Sequence, residues 1–72
     1  MKDDNMAEKI KELMRNHWVW TKVKDMNGKI REVRVDKIDI DKGNFTASRR
    51  DFKGAIYIYN DLPINEYEFY TS

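Results

Sequence analysis

The sequence has 72 residues and a formal net charge of +1, from 14 Lys and Arg against 13 Asp and Glu. This length suffices for one small domain, and a hydrophobic fraction of 40% argues against intrinsic disorder. There is no Cys, which excludes disulfides and thiolate metal sites. No apolar run approaches the roughly 20 residues that span a bilayer, and the N-terminus lacks the apolar segment of a signal peptide. We therefore expect a cytoplasmic protein with no membrane partner.

The first predicted element is a helix near residues 5–16. Asn5 followed three positions later by Glu8 predicts a capping box at its N-terminus. The apolar residues that follow recur at helical spacing and form one stripe: Met6, Ile10, Leu13 and Met14. We expect this stripe to pack on the rest of the domain.

The apolar period changes from 3.6 to 2 after the helix. Asn27-Gly28 is the strongest hairpin signal in the chain, because a two-residue type I′ turn needs positive φ at both positions. Such a loop pairs Lys24 with Arg31 and Trp20 with Val35. This register gathers four large or β-branched side chains on one face, which we predict to be the core: Trp18, Trp20, Val33 and Val35.

The later strands are separated by clear turn signals. The second strand changes phase after Val35, which predicts a β-bulge near Asp36-Lys37. The next turn, Asp41-Lys42-Gly43-Asn44, aligns Ile40 with Phe45. Four further elements are predicted downstream: a turn over 48–51, a strand over 54–59, a 3₁₀ turn over 60–63 and a strand over 65–70.

The chain thus contains one helix and five short antiparallel strands in a single domain over residues 1–72. This order resembles the small SH3-like barrels, and among them the Sm-like proteins, which place a helix before five strands. Asp41-Lys42-Gly43-Asn44 resembles the Asp-to-Asn spacing of the loop that lines the RNA-binding pore in that family, whose second motif is absent here. The resemblance implies a mainly β (α+β) fold, a five-stranded antiparallel small barrel with an N-terminal helix.

Catalytic and metal sites find little support in the sequence. The single His, His17, follows the predicted helix, where the dipole favours a cation and a structural role. The acidic run Asp36, Asp39 and Asp41 lacks the spacing of a calcium loop. We predict that the protein is not an enzyme and that it holds no cofactor and no metal.

One candidate binding surface is basic. Residues 21–54 carry a net charge of +4, whereas residues 55–72 carry −3. The predicted hairpin places four basic side chains on one ribbon, and two later arginines extend it: Lys22, Lys24, Lys29, Arg31, Arg49 and Arg50. A basic two-stranded ribbon can follow a phosphate backbone, which makes RNA or DNA the alternative partner.

The leading candidate surface is acidic and rich in tyrosine: Tyr57, Tyr59, Asp61, Glu66, Glu68 and Tyr70. Tyrosine is favoured at protein interfaces because it buries a large area and keeps a polar end. Along the predicted strand over residues 54–59, isoleucine and tyrosine alternate. The alternation leaves open whether Ile56 and Ile58 or Tyr57 and Tyr59 face the core. If the isoleucines face inward, the tyrosines are free to meet a protein.

We therefore expect a non-catalytic macromolecule-binding domain, foremost a protein-binding adaptor or inhibitor. Short domains rich in Lys, Ile, Asn and Asp are frequent in phages and mobile elements, so one form of this hypothesis is an accessory protein that acts on a host factor. The alternative is an RNA- or DNA-binding small barrel that uses the basic hairpin. A further alternative is a self-assembling structural subunit, because edge strands and a small core both favour homo-oligomers.

Overall fold

A computed structural model describes the backbone of residues 2–71 and the side chains of residues 6–71. Its elements in chain order are α1 (Lys2–Leu13), β1 (Val19–Lys24), β2 (Ile30–Asp39), β3 (Asn44–Arg50), β4 (Ile56–Pro63), a 3₁₀ turn (Ile64–Glu66) and β5 (Tyr70–Thr71). The strands form one antiparallel sheet in the order β4-β3-β2-β1-β5. The predicted mainly β class with an N-terminal helix is confirmed. The predicted barrel is not, because β4 and β5 remain the two edges of an open sheet.

The helix α1 lies against one face of the sheet, which we call the inner face. Ala7 and Ile10 are buried there, and Met14, just beyond the helix, packs against the same core. Met6 and Leu13 remain exposed, so the buried side of the helix is rotated from the predicted stripe. None of the described helices is long and apolar enough to cross a membrane.

Both ends of α1 lie three residues before the predicted boundaries. The helix starts at Lys2, so Asn5 is inside it and does not occupy the N-cap position of the predicted capping box. It ends at Leu13 in a tightened turn, where the amides of Arg15 and Asn16 donate to carbonyl oxygens three residues earlier, at 3.2 and 3.1 Å. These bonds satisfy carbonyl groups that would otherwise end the helix unpaired.

The first hairpin differs by one residue from the predicted register. Trp20 pairs with Arg34 and Thr21 pairs with Val33. Because side chains alternate along a strand, a shift of one residue moves each side chain to the other face. The predicted tryptophan core is therefore wrong: Trp20 is half-buried and Trp18 is 61% exposed, both on the outer face.

The same shift removes the predicted like-charge pair between Lys24 and Arg31. Lys24 instead pairs with Ile30, and Arg31 pairs with Val23. Along β1 the inward-facing residues alternate with Trp20, Lys22 and Lys24. These inward-facing residues are buried: Val19, Thr21 and Val23.

The core lies between α1 and the inner face of the sheet. Its buried apolar side chains are Ala7, Ile10, Val19, Val23, Val33, Val35, Phe45, Ala47 and Ile64. Phe45 makes edge-to-face contacts with Tyr67 and Phe69, at centroid distances of 5.3 and 5.0 Å. The chain before β5 therefore completes the core, and Glu66 and Glu68, which alternate with these aromatics, are exposed.

One buried polar group ties this C-terminal segment to β1. The side chain of Thr21 is fully buried, and its hydroxyl donates a 2.6 Å hydrogen bond to the carbonyl oxygen of Glu68. A buried hydroxyl without a partner would cost free energy, so this bond fixes the segment against the sheet.

The predicted bulge in β2 is confirmed, since the β2–β3 register shifts between Val35 and Lys37. The alignment beyond the bulge differs, because Phe45 pairs with Ile38 and not with Ile40. Ile40 instead lies in the loop, where the Asp39 carbonyl oxygen accepts a 2.9 Å bond from Gly43.

Strands β3 and β4 are both longer than predicted. β3 continues to Arg50, and the turn expected over residues 48–51 lies further along the chain. β4 runs past residue 60 to Pro63, with an irregularity near Asp61, whose φ is 58°. The 3₁₀ turn accordingly follows at Ile64–Glu66, and the regular part of the last strand shrinks to Tyr70–Thr71.

Phe45 and Phe52 give a matched test of this core. Phe45→Ala should lower the free energy of unfolding by about 3–5 kcal/mol, because it empties the contact between the sheet and the C-terminal aromatics. Phe52→Ala should change it by less than about 0.5 kcal/mol, because that ring is 93% exposed. Urea unfolding followed by tryptophan fluorescence measures both, and equal losses would contradict this packing.

Candidate functional site

Two hairpin loops of the sheet share one seven-residue plan. The β1–β2 loop reads Asp-Met-Asn-Gly-Lys-Ile-Arg over residues 25–31, and the β3–β4 loop reads Asp-Phe-Lys-Gly-Ala-Ile-Tyr over residues 51–57. Both place Asp first, an apolar residue second, Gly fourth and Ile sixth. Since β1 to β4 form an antiparallel meander, both loops lie at the same end of the sheet.

The backbone bonds of the two loops are the same. The amides of Asp25 and Asp51 donate to the carbonyl oxygens of Lys29 and Ala55, at 2.8 and 2.9 Å. In each loop the glycine amide donates back to the aspartate carbonyl oxygen, at 2.9 and 3.0 Å. The glycines have φ values of 83° and 91°, which favour a residue without a Cβ. Each loop is thus a three-residue turn with glycine in the left-handed region.

Each aspartate side chain braces its own loop. Asp25 Oδ1 accepts the amides of Asn27 and Lys29, both at 2.9 Å, and its Oδ2 accepts Arg31 Nε at 2.8 Å. Asp51 repeats the pattern with the amides of residues 53 and 55, both at 2.9 Å, and with the Tyr57 hydroxyl at 3.3 Å. The turns are therefore held by side-chain bonds as well as by glycine.

These hydrogen bonds lower the pKa of both carboxyl groups. For Asp25 the main cause is the bond from the Arg31 side chain, followed by the amide of Lys29. For Asp51 partial desolvation acts to raise the pKa, but the bonds from the amides of Ala55 and Lys53 and from the Tyr57 hydroxyl outweigh it. Both loops are thus braced by ionised carboxylates at neutral pH.

The second residue of each loop projects into solvent. Met26 is fully exposed, and Phe52 is 93% exposed. Lys29 and Lys53, one from each loop, are exposed beside them. We call these four residues the tip surface: Met26, Lys29, Phe52 and Lys53. It combines two apolar side chains and two cations on backbone that is held in place.

The outer face of the sheet is open and mixes aromatic, aliphatic and basic side chains. One row of paired residues crosses all five strands: Ile58, Ser48, Arg34, Trp20 and Tyr70. The Arg34 guanidinium lies 4.6 Å from the centroid of the exposed Trp18 ring. The sequence prediction overlooked Arg34 because the misplaced register put it on the face opposite the tryptophans.

Tyr70 ends this row in a strong hydrogen bond. Its hydroxyl donates to Glu32 Oε2 at 2.6 Å. Burial, together with this bond and the carboxylate charge, raises the pKa of Tyr70 to about 12. The phenol is therefore a neutral donor at physiological pH, and it occupies Glu32, which lies opposite Lys22. Arg34 has an acidic neighbour of its own, since its guanidinium lies 3.6 Å from Asp36 Oδ1.

The basic residues predicted to contact nucleic acid are divided between the two faces. Lys22, Lys24 and Arg50 belong to the outer face, and Lys29 belongs to the tip surface. Arg31 and Arg49 lie on the inner face with bonds of their own: Arg31 to Asp25, and Arg49 Nε to the Tyr59 hydroxyl at 3.1 Å. The last bond raises the pKa of Arg49, with smaller contributions from neighbouring charges that include Asp25 of the other loop.

The predicted acidic, tyrosine-rich surface is divided between the two edges of the sheet. Tyr57, Tyr59 and Asp61 belong to β4, whereas Glu66, Glu68 and Tyr70 lie in or just before β5 at the other edge. Tyr59 is half-buried, and the Arg49 guanidinium lies 4.2 Å from the centroid of the Tyr57 ring.

The question of which β4 residues face inward is also answered. Tyr59 pairs with the buried Ala47, so the tyrosines lie on the inner side and the isoleucines, Ile56 and Ile58, on the outer face. Of the two orientations that the sequence left open, the structure therefore has the one with the tyrosines inward, and the binding of protein by these six residues stays a prediction.

Comparison with known proteins does not extend these observations. The chain matches no protein-family model, no curated protein and no solved structure. The resemblance to SH3-like and Sm-like barrels stays a prediction, and the functional argument rests on the geometry of the surfaces.

The braced loops predict a specific acid sensitivity. A carboxyl group whose folded pKa lies below its unfolded value, about 3.9 for Asp, stabilises the fold above that value and loses this contribution as the pH falls through the folded pKa. We therefore expect the urea concentration at the unfolding midpoint to decrease as the pH is lowered from 7 to 3. This decrease should be smaller in the double variant Asp25→Asn/Asp51→Asn. Glu66→Gln/Glu68→Gln removes two exposed carboxyls as a control. An equally reduced pH dependence of the urea midpoint in the control variant would contradict the role of the loops.

Proposed function

We propose that this protein is a non-catalytic protein-binding domain, an adaptor or inhibitor, that contacts its partner through the tip surface. The observation that carries the proposal is the full exposure of Met26 and Phe52 on two loops of identical design. Exposed apolar side chains that are grouped together mark interaction sites, and a few large side chains carry most of the binding energy of an interface.

The brace of each loop favours binding as well as folding. Ordering a flexible loop on association costs conformational entropy, and a loop already fixed by its aspartate avoids most of this cost. Full burial of Met26 and Phe52 in a partner would each contribute roughly 1.5–3 kcal/mol from the apolar area alone. Two such anchors at one end of the molecule form the core of a small interface.

Charge defines the chemistry of the partner. Lys29 and Lys53 flank the anchors, and Lys24 and Arg50 are exposed at the strand ends just below the loops. The matching surface has apolar pockets for a methionine and a phenylalanine, with acidic side chains at the rim. This is a different surface from the acidic, tyrosine-rich one predicted from the sequence.

Site-specific photocrosslinking tests this proposal in cells that express the protein naturally. A benzophenone amino acid at position 26 should form an adduct with one protein, and the same label at position 52 should form an adduct with that same protein. A label at position 13, which is exposed at the end of helix α1, is the control. Phe52→Ser should reduce the position-26 adduct at least about tenfold, because it removes an anchor.

Leu13→Ser is the matched control for Phe52→Ser, since it also removes an exposed apolar side chain. Equal labelling at position 13, adducts with different proteins at the two tips, or no effect of Phe52→Ser would each contradict the tip surface as the binding site.

A second candidate function is binding of single-stranded RNA or DNA on the outer face. The observation that favours it is that this face combines four basic side chains with three aromatic ones: Lys22, Lys24, Arg34 and Arg50 with Trp18, Trp20 and Tyr70. Basic residues that follow phosphates and aromatic rings that stack on bases are the common basis of single-strand recognition.

Fluorescence anisotropy with labelled mixed-sequence RNA and DNA at two salt concentrations tests this candidate. Under this hypothesis binding weakens steeply with salt, and the slope counts the phosphate contacts. Lys22→Glu/Arg34→Glu should abolish binding, whereas Lys9→Glu/Lys11→Glu on the helix should leave most of it. An affinity that is absent at low salt, or that is equally sensitive to both pairs, would remove the outer face as a nucleic-acid site.

A further inference from the structure

The strand β4 leaves one side of its backbone unpaired by any other described strand, since it lies at the edge of the sheet. The amide of Asp51 donates to the carbonyl oxygen of Ala55, so residue 55 directs its bonds toward β3. Hydrogen-bonding direction alternates along an antiparallel strand. The N–H and C=O groups of Ile56 and Ile58 therefore point away from β3, along the free edge.

Residues 56–60 of this edge lack the features that normally prevent strands from pairing with other chains; Asp61, the irregularity and Pro63 follow only at the end of β4. Residues 54–60 read Gly-Ala-Ile-Tyr-Ile-Tyr-Asn, without a charged residue or a proline. Isoleucine and tyrosine are among the residues most favourable to strands, and natural edges are usually protected by charge, proline, a bulge or short length. The first charged residue is Asp61, which lies at the irregularity of β4.

We propose that two copies of this chain pair through β4 in an antiparallel register, with Ile56 opposite Ile58 of the partner subunit. A two-fold axis perpendicular to the sheet passes beside Tyr57 in this arrangement. Each Ile56–Ile58 pair exchanges two backbone hydrogen bonds, and the two open sheets become one continuous sheet. This assembly is independent of the tip surface, which lies in the loops.

The side chains of β4 favour a second copy over an unrelated strand. Ile56 and Ile58 are exposed on the outer face, and self-pairing places the isoleucines of the two copies side by side. On the inner side Tyr57 meets the partner's Tyr57, which is a favourable cross-strand aromatic pair. Because residues 54–60 carry no charge, the symmetric register opposes no like charges.

The other edge explains why the assembly would stop at two copies. The edge strand β5 contains only Tyr70 and Thr71, and the exposed Glu66 and Glu68 lie just before it. So short an edge beside acidic side chains is a poor template for a further strand. The β4 contact uses the same segment on both copies, which closes the symmetry as a dimer.

Two isoleucines of nearly equal exposure provide a matched pair of variants. Ile58 is 63% exposed in the proposed seam, one residue from its two-fold axis, and Ile30 is 61% exposed on β2, away from the seam. Ile58→Lys places a charged side chain opposite Ile56 of the partner subunit, where the apolar contact between the two copies is lost. This variant should therefore convert the dimer to a monomer. Ile30→Lys should leave the dimer intact. Sedimentation velocity from micromolar to millimolar protein measures the mass, and circular dichroism verifies that both variants are folded.

Amide hydrogen exchange supplies an independent readout at the seam. The amides of Ile56 and Ile58 should exchange slowly in the natural protein and at least about a hundredfold faster in Ile58→Lys, while the amide of Val33 in the core stays protected in both. A natural protein that remains monomeric, a dimer that survives Ile58→Lys, or rapid exchange at Ile56 and Ile58 within a dimer would each overturn the proposal.

Discussion

The carboxylate of Asp25 sets the geometry on which the other parts of the sheet depend. It accepts two amides and the Arg31 side chain within the first hairpin, and so holds a loop of three residues between β1 and β2. Loop length determines register, and register determines the face on which each side chain lies. With this loop, Val33 lies opposite Thr21, and the small β-branched residues of β1 face the helix. The tryptophans then lie on the outer face beside Arg34.

This register also explains why the inner face can be covered by so short a chain. Val19, Thr21 and Val23 are compact, so the C-terminal segment can approach β1 closely enough for Thr21 to bond the backbone of Glu68. Tyr67 and Phe69 then pack on Phe45 and complete the core with aromatic area that a single strand could not supply. Tryptophans in these inward positions would occupy the space that this segment fills.

Element order and the bulge after Val35 were predictable from the sequence, since both depend on local periodicity and phase. The first hairpin was not, because Gly28 suits a two-residue and a three-residue loop equally well. The deciding signal is Asp25 three residues before the glycine, and its recurrence as Asp51 before Gly54 would have revealed it. Closure of the sheet depends on curvature, which element order does not determine.

The exposed face and free edge of β4 were harder to predict for a related reason. Along β4, isoleucine and tyrosine alternate, so both faces are apolar enough to be inside and periodicity cannot choose between them. The choice is made at a distance, by the packing of Tyr59 beside Ala47 and by its bond from Arg49. Once the tyrosines are inside, the exposed isoleucines and the uncharged edge follow. Which side chains the molecule exposes thus depends on register more than on composition.

The duplicated loop plan separates the residues that shape a turn from the residue that the turn displays. In each loop the bracing bonds come from the aspartate, from backbone groups and from one neighbouring side chain, Arg31 or Tyr57, whereas the side chains of Met26 and Phe52 make none of them. Substitution at these two positions therefore leaves the scaffold unchanged. The domain has the architecture of a display frame, in which the two exposed side chains can be exchanged, singly or together, without removing any bond that shapes the loops.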